Sequence, residues 1–240
     1  QASANQRAGR CGRVANGICI RLYSEDDYLG RSEFTDPEIL RTNLASVILK
    51  MLSLGLGDIN AFPFVQPPDP RFINDGYRLL QELQAISLHK KHPTLTPLGK
   101  QIARLPIDPR YARMVIAATA HRALQEVVII TAGLSIQDPK ERPREKQQAA
   151  DECHQQFADK QSDFISILNL YAGFCEQQAN LTQNQLRKWC KSNFIHYLRM
   201  REWQDIISQV KQSLKELKLD MNQQTPDYDD IHISLATWLD

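Results

Sequence analysis

The chain has 240 residues, of which 42% are hydrophobic and 24% charged, and its formal net charge is +1. This is the composition of an ordinary globular protein of one or two domains, and it gives no overall electrostatic attraction for nucleic acid. Five cysteines without a CxxC pair argue against a disulfide framework or a zinc site and favour a reducing cytosol. No apolar run approaches the roughly 18 residues of a membrane span, so we expect no membrane partner. The six histidines show no ligand spacing with cysteines or carboxylates, so we also expect no bound metal.

The first 13 residues hold the densest chemical pattern of the chain. Arg7, Arg10 and Arg13 recur at every third position, with Gly9 and Gly12 between them. On a helix or a tight helical turn the three arginines share one face, and their guanidinium groups match phosphate oxygens. The glutamine beside them could orient a water molecule, as in phosphoryl-transfer sites. The spacing alone leaves a second interpretation open, because a solvated basic face or an RNA-binding stretch has the same pattern.

The next residues predict a turn and then a strand. Asn16-Gly17 is a tight-turn pair, and Ile18, Ile20 and Leu22 occupy alternate positions. We expect this strand to be the last one of a domain that begins upstream. The opening sequence QASANQRAGRCGR resembles the interior of a longer protein.

Residues 36–83 predict two helices joined by a Pro- and Phe-rich loop. The first helix should begin at Asp36-Pro37 and end at Gly55 or Gly57. The second helix should be short, with Asn74 or Asp75 as its N-terminal cap.

A strand, a basic turn and a second strand follow, and Thr96-Pro97 then predicts another helix. The order helix, helix, strand, turn, strand is compatible with a winged helix. The basic turn His89-Lys90-Lys91-His92 could be a wing that reads nucleic acid. We favour a structural linker, because the two helices are strongly apolar and lack the basic exposed face that grips a groove.

From Asp108-Pro109 onward the sequence predicts helices only. The apolar periodicity places them near residues 109–121, 124–133, 144–158, 163–177, 183–193 and 195–218. The stretch 222–230 is polar and acidic, which is typical of a mobile segment.

Basic and aromatic residues are interleaved between positions 183 and 218. This combination suits single-stranded RNA, because phosphates attract the charges and bases stack on the rings. The candidate RNA-contact residues are Arg187, Lys188, Lys191, Arg199 and Arg201. The alternative is that the charges form a solvated face. We expect Trp189 and Trp203 to be core residues.

QRAGRCGR, followed by a strand of the type GxCxRLY, resembles motif VI of superfamily-2 helicases in the form used by the DEAH-box group. The resemblance continues through PEILRTNLASVILKMLSLGLGDI, FPFVQPPDPRFI, LTPLGKQIARLPIDPRYARM and WCKSNFIHYLRMREWQDI. It is specific over residues 1–120 and 160–218 and weaker over 134–158 and 219–240. The chain is therefore similar to the C-terminal region of DEAH-box RNA helicases, and in particular to a bacterial member.

The resemblance implies a mainly α fold in three parts. Residues 1–35 would be the C-terminal end of the second RecA-like α/β domain, with motif VI and its last strand. Residues 36–107 would be a winged-helix-like connector. Residues 108–240 would be a helical bundle, the ratchet-type helicase-associated domain.

The resemblance also implies roles for the motif residues. Gln6 would position the attacking water, and Arg10 and Arg13 would reach the γ-phosphate of ATP as arginine fingers. Arg7 would support the contact between domains. We interpret Cys11 as a packing residue, because a small residue often stands there in the family.

ATP and Mg²⁺ would be held mainly by the other, N-terminal RecA-like domain of the same longer chain. Neither the GxxxxGK[ST] phosphate-binding loop nor a DEAH sequence occurs in these 240 residues. Since an arginine finger acts only on a nucleotide that is already held, our hypothesis is that this chain alone neither binds ATP usefully nor hydrolyses it.

The function that the resemblance implies is that of a bacterial, cytoplasmic, ATP-dependent RNA helicase. Such an enzyme couples ATP hydrolysis to 3′-to-5′ translocation on single-stranded or structured RNA and to duplex unwinding. Two other classes remain as alternatives: a non-enzymatic winged-helix nucleic-acid-binding module and an all-α interaction scaffold. Neither of them explains motif VI joined in order to the downstream stretches.

Overall fold

The structure is a computed structural model that describes residues 1–11, 17–34, 44–89 and 92–237. Within these ranges the chain forms twelve α-helices and one two-stranded sheet. The prediction of a mainly α fold is confirmed. No helix in the described ranges has both the length and the apolar character that crossing a bilayer requires.

The first two helices are α1 (Ala2–Ala8) and α2 (Glu25–Gly30). The hydroxyl of Ser24 caps α2 by accepting a hydrogen bond from the backbone N–H of Asp27 at 3.1 Å. Three acidic residues in the first turn of α2 complement the helix dipole. Neither helix buries a residue, so neither contributes a side chain to a hydrophobic core.

The strand predicted after the turn at Asn16-Gly17 is wrong for residues 17–24. These residues form no ladder, and Ile18, Ile20 and Leu22 are 88%, 80% and 96% exposed. A strand needs a neighbour for its backbone hydrogen bonds, and the sheet found in the described ranges contains only the two strands of a later hairpin.

The next part contains α3 (Leu44–Ser53), α4 (Pro70–Glu82), β1 (Ile86–His89), β2 (His92–Leu95) and α5 (Pro97–Ile102), with a short 3-10 helix at Ile59–Ala61. The predicted start at Asp36-Pro37 lies outside the described residues. The predicted end of α3 is confirmed, since Gly55 and Gly57 adopt φ angles of +69° and +82°. Glycine reaches these angles without steric cost.

The second helix begins earlier than predicted. Asp69, and not Asn74 or Asp75, caps α4, because its carboxylate accepts a hydrogen bond from the backbone N–H of Arg71 at 2.8 Å. Pro70 occupies the first helical position, where a missing N–H has no consequence. Asn74 and Asp75 therefore lie inside the helix.

The hairpin and the helix after it agree with the predicted winged-helix order. β1 and β2 pair in antiparallel register, with Ile86 opposite Leu95. Thr96 caps α5 as predicted, since its hydroxyl accepts a hydrogen bond from the N–H of Gly99 at 2.9 Å. Lys90 and Lys91 of the candidate wing lie outside the described residues.

The remaining helices are α6 (Pro109–Ala117), α7 (Leu124–Leu134), α8 (Gln147–Gln155), α9 (Asp163–Asn180), α10 (Gln183–Ser192), α11 (Tyr197–Glu216) and α12 (Tyr228–Ala236). The first six follow the predicted positions, and a 3-10 turn at Arg144–Lys146 precedes α8. Asp108 caps α6 through the backbone N–H of Arg110 at 2.8 Å.

The prediction of a mobile stretch over 222–230 is wrong at two places. The helix α12 begins at Tyr228 and buries Ile231 and Leu235. Asn222 binds the start of α7, because its amide oxygen accepts a hydrogen bond from the N–H of Gln125 at 2.8 Å. The burial of α12 and the hydrogen bond of Asn222 both involve partners that are distant in sequence. The polarity of residues 222–230 therefore does not indicate them.

The core of the helical part surrounds α7, which is apolar on nearly all sides and contacts α6, α9, α11 and α12. Trp203 of α11 is 1% exposed, and its indole N–H donates to the carbonyl of Ile129 at 2.8 Å. The core position predicted for Trp203 is confirmed. Trp189 is half-buried and contacts Phe157 edge-on, with ring centroids 6.4 Å apart.

Candidate functional site

The motif residues that the structure describes lie at the end of α1. Gln6 and Arg7 belong to the helix and Arg10 to the turn after it, and all three side chains are exposed. The guanidinium group of Arg7 donates to the hydroxyl of Ser3 at 3.1 Å, one helical turn earlier. Arg13 lies outside the described residues.

Polar contacts hold α1 against residues 21–33. The amide oxygen of Asn5 accepts hydrogen bonds from the Tyr28 hydroxyl at 2.7 Å and from the Arg21 guanidinium at 2.9 Å. Arg21 also lies over the Tyr28 ring, 4.1 Å from its centroid. Exposed contacts of this kind contribute little individually, so this segment depends on surface interactions for its position.

The interpretation of Cys11 as a packing residue is wrong. Its side chain is exposed, because Gly9, Arg10 and Cys11 form a turn that projects from the end of α1. The same turn leaves the guanidinium of Arg10 in solvent. An acidic partner for Arg10 is absent from the ion pairs of the described ranges, so this group is available to an anion.

The helix α10 presents a cationic face. Its sequence, QNQLRKWCKS, contains three basic residues and no carboxylate. Leu186 and Cys190 point into the core, while Arg187, Lys188 and Lys191 are exposed. The ion pairs of the described residues all lie outside α10, so these three charges are not neutralised within the described chain.

Tyr197, the first residue of α11, connects this face to the next helix. The guanidinium carbon of Arg187 lies 5.1 Å from the centroid of the Tyr197 ring. The amide of Gln183 donates to the Tyr197 hydroxyl at 3.4 Å. The ring is half-buried, so it restricts Arg187 by a cation–π contact. Arg187 and Tyr197 are ten residues apart and lie on different helices, so the periodicity of the sequence does not predict their contact.

The two arginines predicted on α11 have different surroundings. Arg199 is half-buried, and its guanidinium donates to the backbone carbonyl of Asp138 at 2.7 Å. Arg201 is exposed and donates to the amide oxygen of Gln204 at 2.9 Å. The structure therefore gathers Arg187, Lys188 and Lys191 on one helix and engages Arg199 in a contact with the loop before α8.

Burial raises the pKa of the Cys190 thiol to about 11. The thiol beneath the basic face thus stays neutral near pH 7, and it adds no negative charge that would offset the three cations.

A cleft of about 690 Å³ lies between α8, α9 and the loop before α8, and Asp138, Lys140, Arg142, Asp151 and His154 are among the residues that line it. Arg142 forms a two-pronged ion pair with Asp151, at 2.7 and 2.6 Å. The hydrogen bond from Arg142 lowers the pKa of Asp151. Because Arg142 is engaged in this way, the cleft is a weaker candidate for phosphate than α10. In the described ranges, no cluster of His, Cys, Asp and Glu side chains is arranged to hold a metal ion.

Comparison with protein-family models gives two matches. Residues 77–107 match the winged-helix part of the helicase-associated domain (HA2). Residues 108–167 match the ratchet-like part of the same domain.

Comparison with curated proteins gives relatives over the whole chain. The chain is 59% identical over its full length to the ATP-dependent RNA helicase HrpA of Escherichia coli strain K12, and covers 18% of that protein. It is 54% identical over its full length to the HrpA homolog of Haemophilus influenzae, and covers 19% of it. Over 90% of the chain it is 32% identical to the ATP-dependent RNA helicase DHX33 of Mus musculus, of which it covers 30%. The chain thus spans about a fifth of the length of its bacterial relatives, and the resemblance indicated by the sequence motifs is confirmed.

Proposed function

Because this chain carries the winged-helix and ratchet-like parts of the helicase-associated domain, we propose that it is the segment of an ATP-dependent RNA helicase that holds RNA against the motor domains. The observation that carries this proposal is the 59% identity to such a helicase over the full length of the chain. The parent enzyme would couple ATP hydrolysis to 3′-to-5′ translocation on single-stranded or structured RNA in the bacterial cytoplasm.

The proposal divides the chain at residues 35 and 107. Residues 1–35 would complete a RecA-like domain, 36–107 would connect it, and 108–240 would form the RNA-facing bundle. Support for the second boundary comes from the two matched family ranges, which meet between residues 107 and 108. A connector role for 36–107 is supported by the buried apolar faces of α3 and α4.

Nucleotide chemistry is assigned to the end of α1. Gln6 would position the attacking water, Arg10 and Arg13 would stabilise the γ-phosphate, and Arg7 would support the interdomain contact. ATP and Mg²⁺ would be bound by the N-terminal RecA-like domain of the longer chain, and this segment alone would hydrolyse no ATP. The exposure of Gln6, Arg7 and Arg10 supports this assignment, because a group that completes a site on another domain has to face outward.

RNA contact is assigned to α10. Arg187, Lys188 and Lys191 would bind successive phosphates, and Tyr197 would hold Arg187 in place. Arg201 of α11 is exposed and remains a candidate. Arg199 is the weakest of the five predicted contacts, because its guanidinium already binds the carbonyl of Asp138.

The test is the salt dependence of RNA binding, measured by fluorescence anisotropy with a labelled single-stranded oligouridine. Each phosphate contact on a single strand contributes about 0.7 to the slope of log K against log salt. Relative to 1 M salt, one contact therefore adds about fivefold to the affinity at 0.1 M salt. The double variant Lys188→Gln/Lys191→Gln should therefore bind about 25-fold more weakly, with a slope shallower by about 1.4.

Lys100→Gln is the matched control, because Lys100 is an exposed lysine on α5. It should bind like the unmodified chain. Equal RNA affinity of the double variant and the control would show that Lys188 and Lys191 of α10 do not contact RNA. Binding that does not respond to salt would contradict phosphate contact altogether.

A further inference from the structure

We propose that α8 and residues 138–142 act as a clamp that sets the direction of α10, and that His154 is the positioning residue of this clamp. The inference rests on the proposed function, because it concerns the helix to which RNA binding is assigned. It adds residues that neither the motifs nor the charge pattern singled out. The clamped element is the α10–α11 turn, residues 193–196.

The α10–α11 turn has a backbone that its own sequence disfavours. Phe194 has a φ angle of +53°, in the left-handed region that bulky residues rarely adopt. The N–H of Ile195 donates to the carbonyl of Cys190 at 2.8 Å and so closes the end of α10. Glycine is the usual residue in this position of a helix end. With phenylalanine there, the conformation has to be maintained by the surroundings.

The loop before α8 provides one side of the clamp. The N–H of Glu141 donates to the carbonyl of Phe194 at 2.8 Å, and the N–H of His196 donates to the carbonyl of Pro139 at 2.8 Å. The guanidinium of Arg199 reaches the carbonyl of Asp138 at 2.7 Å. These three bonds fix the turn and the first turn of α11 to the same short loop.

The helix α8 provides the other side. The Nε2 atom of His154 lies 3.1 Å from the carbonyl oxygen of Phe194, and since a carbonyl only accepts, Nε2 carries the proton. The carboxamide of Gln156, just after α8, donates to the Asn193 side-chain oxygen at 2.9 Å. The Phe194 carbonyl thus accepts from both sides of the clamp.

An ion pair joins the two sides. Arg142 is the last residue of the segment 138–142 and Asp151 belongs to α8, and their two bonds of 2.7 and 2.6 Å connect the side chains. The pair is exposed, so it contributes little to overall stability. Its effect is geometric, because a two-pronged pair restricts both distance and orientation.

The angle of the α10–α11 turn determines where the basic residues of α10 lie. Arg187 lies seven residues before Phe194, which is about 10 Å along a helix axis at 1.5 Å per residue. A tilt of about 20° at the turn would therefore shift Arg187 by about 3–4 Å, more than a hydrogen bond to a phosphate tolerates. Tyr197 stands on the far side of the turn, so the Arg187–Tyr197 contact depends on the same angle.

The experiment measures RNA affinity of the 240-residue chain by oligouridine anisotropy, at a temperature where circular dichroism shows every variant to be folded. His154→Leu removes the donor and should weaken binding about tenfold, the equivalent of one to two phosphate contacts. His154→Gln places a carboxamide N–H within reach of the Phe194 carbonyl and should restore affinity to within about twofold. Gln156→Ala changes an exposed side chain, so we expect the variant to fold, and it should weaken binding by about two- to threefold.

His232→Leu is the matched control for general damage. His232 bonds Ser162 at 2.7 Å and the carbonyl of Tyr228 at 2.7 Å, within α12 and at the start of α9. Its loss should lower the melting temperature and leave RNA affinity unchanged. Equal weakening by His154→Leu and His232→Leu would overturn the positioning role, as would failure of His154→Gln to restore binding.

The clamp and the proposed function fail in different ways. If Lys188→Gln/Lys191→Gln weakens binding while His154→Leu and Gln156→Ala do not, the clamp is wrong and the RNA surface stands. If the unmodified chain shows no salt-dependent RNA binding, the proposed RNA surface is wrong. The clamp proposal, which depends on that surface, is then wrong as well. If His154→Leu does not fold, Gln156→Ala decides, and unchanged affinity of that variant overturns the clamp.

Discussion

Identical side chains have different uses in this protein because their surroundings differ. The Arg187 guanidinium lies on the Tyr197 ring and faces solvent, whereas the Arg199 guanidinium binds a loop carbonyl at 2.7 Å. Both residues follow the same basic and aromatic pattern in the sequence. Only the tertiary contact separates an available cation from one that stabilises the fold.

The five cysteines also differ by environment. We predict that iodoacetamide modifies Cys11 and Cys19 rapidly in the native protein, because both are exposed. Cys190 should remain unmodified at pH 8, because it is 1% exposed and burial raises its pKa to about 11, and the thiolate is the reactive form. Mass spectrometry of the labelled peptides measures this. In concentrated urea all five should react at similar rates, and rapid native labelling of Cys190 would contradict the buried position.

The raised pKa of Cys190 also predicts a direction for stability at alkaline pH. The unfolded thiol ionises at its ordinary pKa, while the folded thiol stays protonated up to about pH 11. The stability that burial of the neutral thiol provides is thus fully present below the ordinary pKa. It is lost as the pH rises from there towards 11. Urea unfolding at pH 8 and pH 10 should show a decrease, and Cys190→Ala should reduce that decrease.

At the level of elements, glycines allow helices to approach backbone closely. A Cβ on Gly76 of α4 would lie 2.8 Å from Ile48 Cδ1 and 3.1 Å from the backbone nitrogen of Ala45, both in α3. A Cβ on Gly99 of α5 would lie 1.9 Å from the carbonyl oxygen of Ala85. The second contact is the more severe, because a backbone oxygen before β1 cannot move away by rotating a side chain.

We therefore predict that Gly99→Ala lowers the free energy of unfolding by about 3 kcal/mol or more, at the upper end of what overpacking costs. Gly30→Ala is the control, since nothing lies within 4 Å of a Cβ at Gly30, and its effect should stay within about 0.5 kcal/mol. Urea denaturation followed by circular dichroism measures both. Equal midpoints for the two variants would refute the contact between α5 and the hairpin.

Elements with local signals were predictable from the sequence, and elements that depend on distant partners were not. Thr96-Pro97 and Asp108-Pro109 marked helix starts because a cap and a proline act within one turn. The same Asp-Pro signal stood at Asp69-Pro70 and was missed in favour of Asn74 or Asp75. The strand over 18–22 failed because alternation indicates a strand without providing its neighbour. The helix α12 was missed because its burial depends on α6 and α7.

At the scale of the whole molecule, the candidate sites could be predicted only in part. The residue types that we propose for phosphate contact, at Gln6, Arg10 and Arg187, were visible in the sequence. The clamp around Phe194 was not visible, since it joins residues some 40 to 60 positions apart through backbone carbonyls. Arg13 and the Lys90-Lys91 turn lie outside the described residues, and their assignments remain predictions.

The proposed nucleotide-facing and RNA-facing surfaces lie in parts of the described chain that differ in burial. One hydrophobic core includes Leu44 of α3 and Leu235 of α12, so the winged-helix part and the helical bundle share it. Residues 1–11 and 17–34 bury no side chain. The proposed nucleotide-facing residues thus lie in a part of the described chain that buries no side chain, and the proposed RNA-facing residues lie on a helix that buries Leu186 and Cys190.

RNA-stimulated ATP hydrolysis by the longer helicase that we propose contains this segment distinguishes these two surfaces in one measurement. Arg10→Ala should lower kcat by about 1,000-fold or more, the usual contribution of an arginine finger, and leave RNA affinity unchanged. Lys188→Gln/Lys191→Gln should raise the RNA concentration for half-maximal ATP hydrolysis by about 25-fold at 0.1 M salt and leave kcat at saturating RNA unchanged. Full ATP turnover by Arg10→Ala, or an unchanged RNA requirement in the double lysine variant, would contradict the division of labour proposed for this chain.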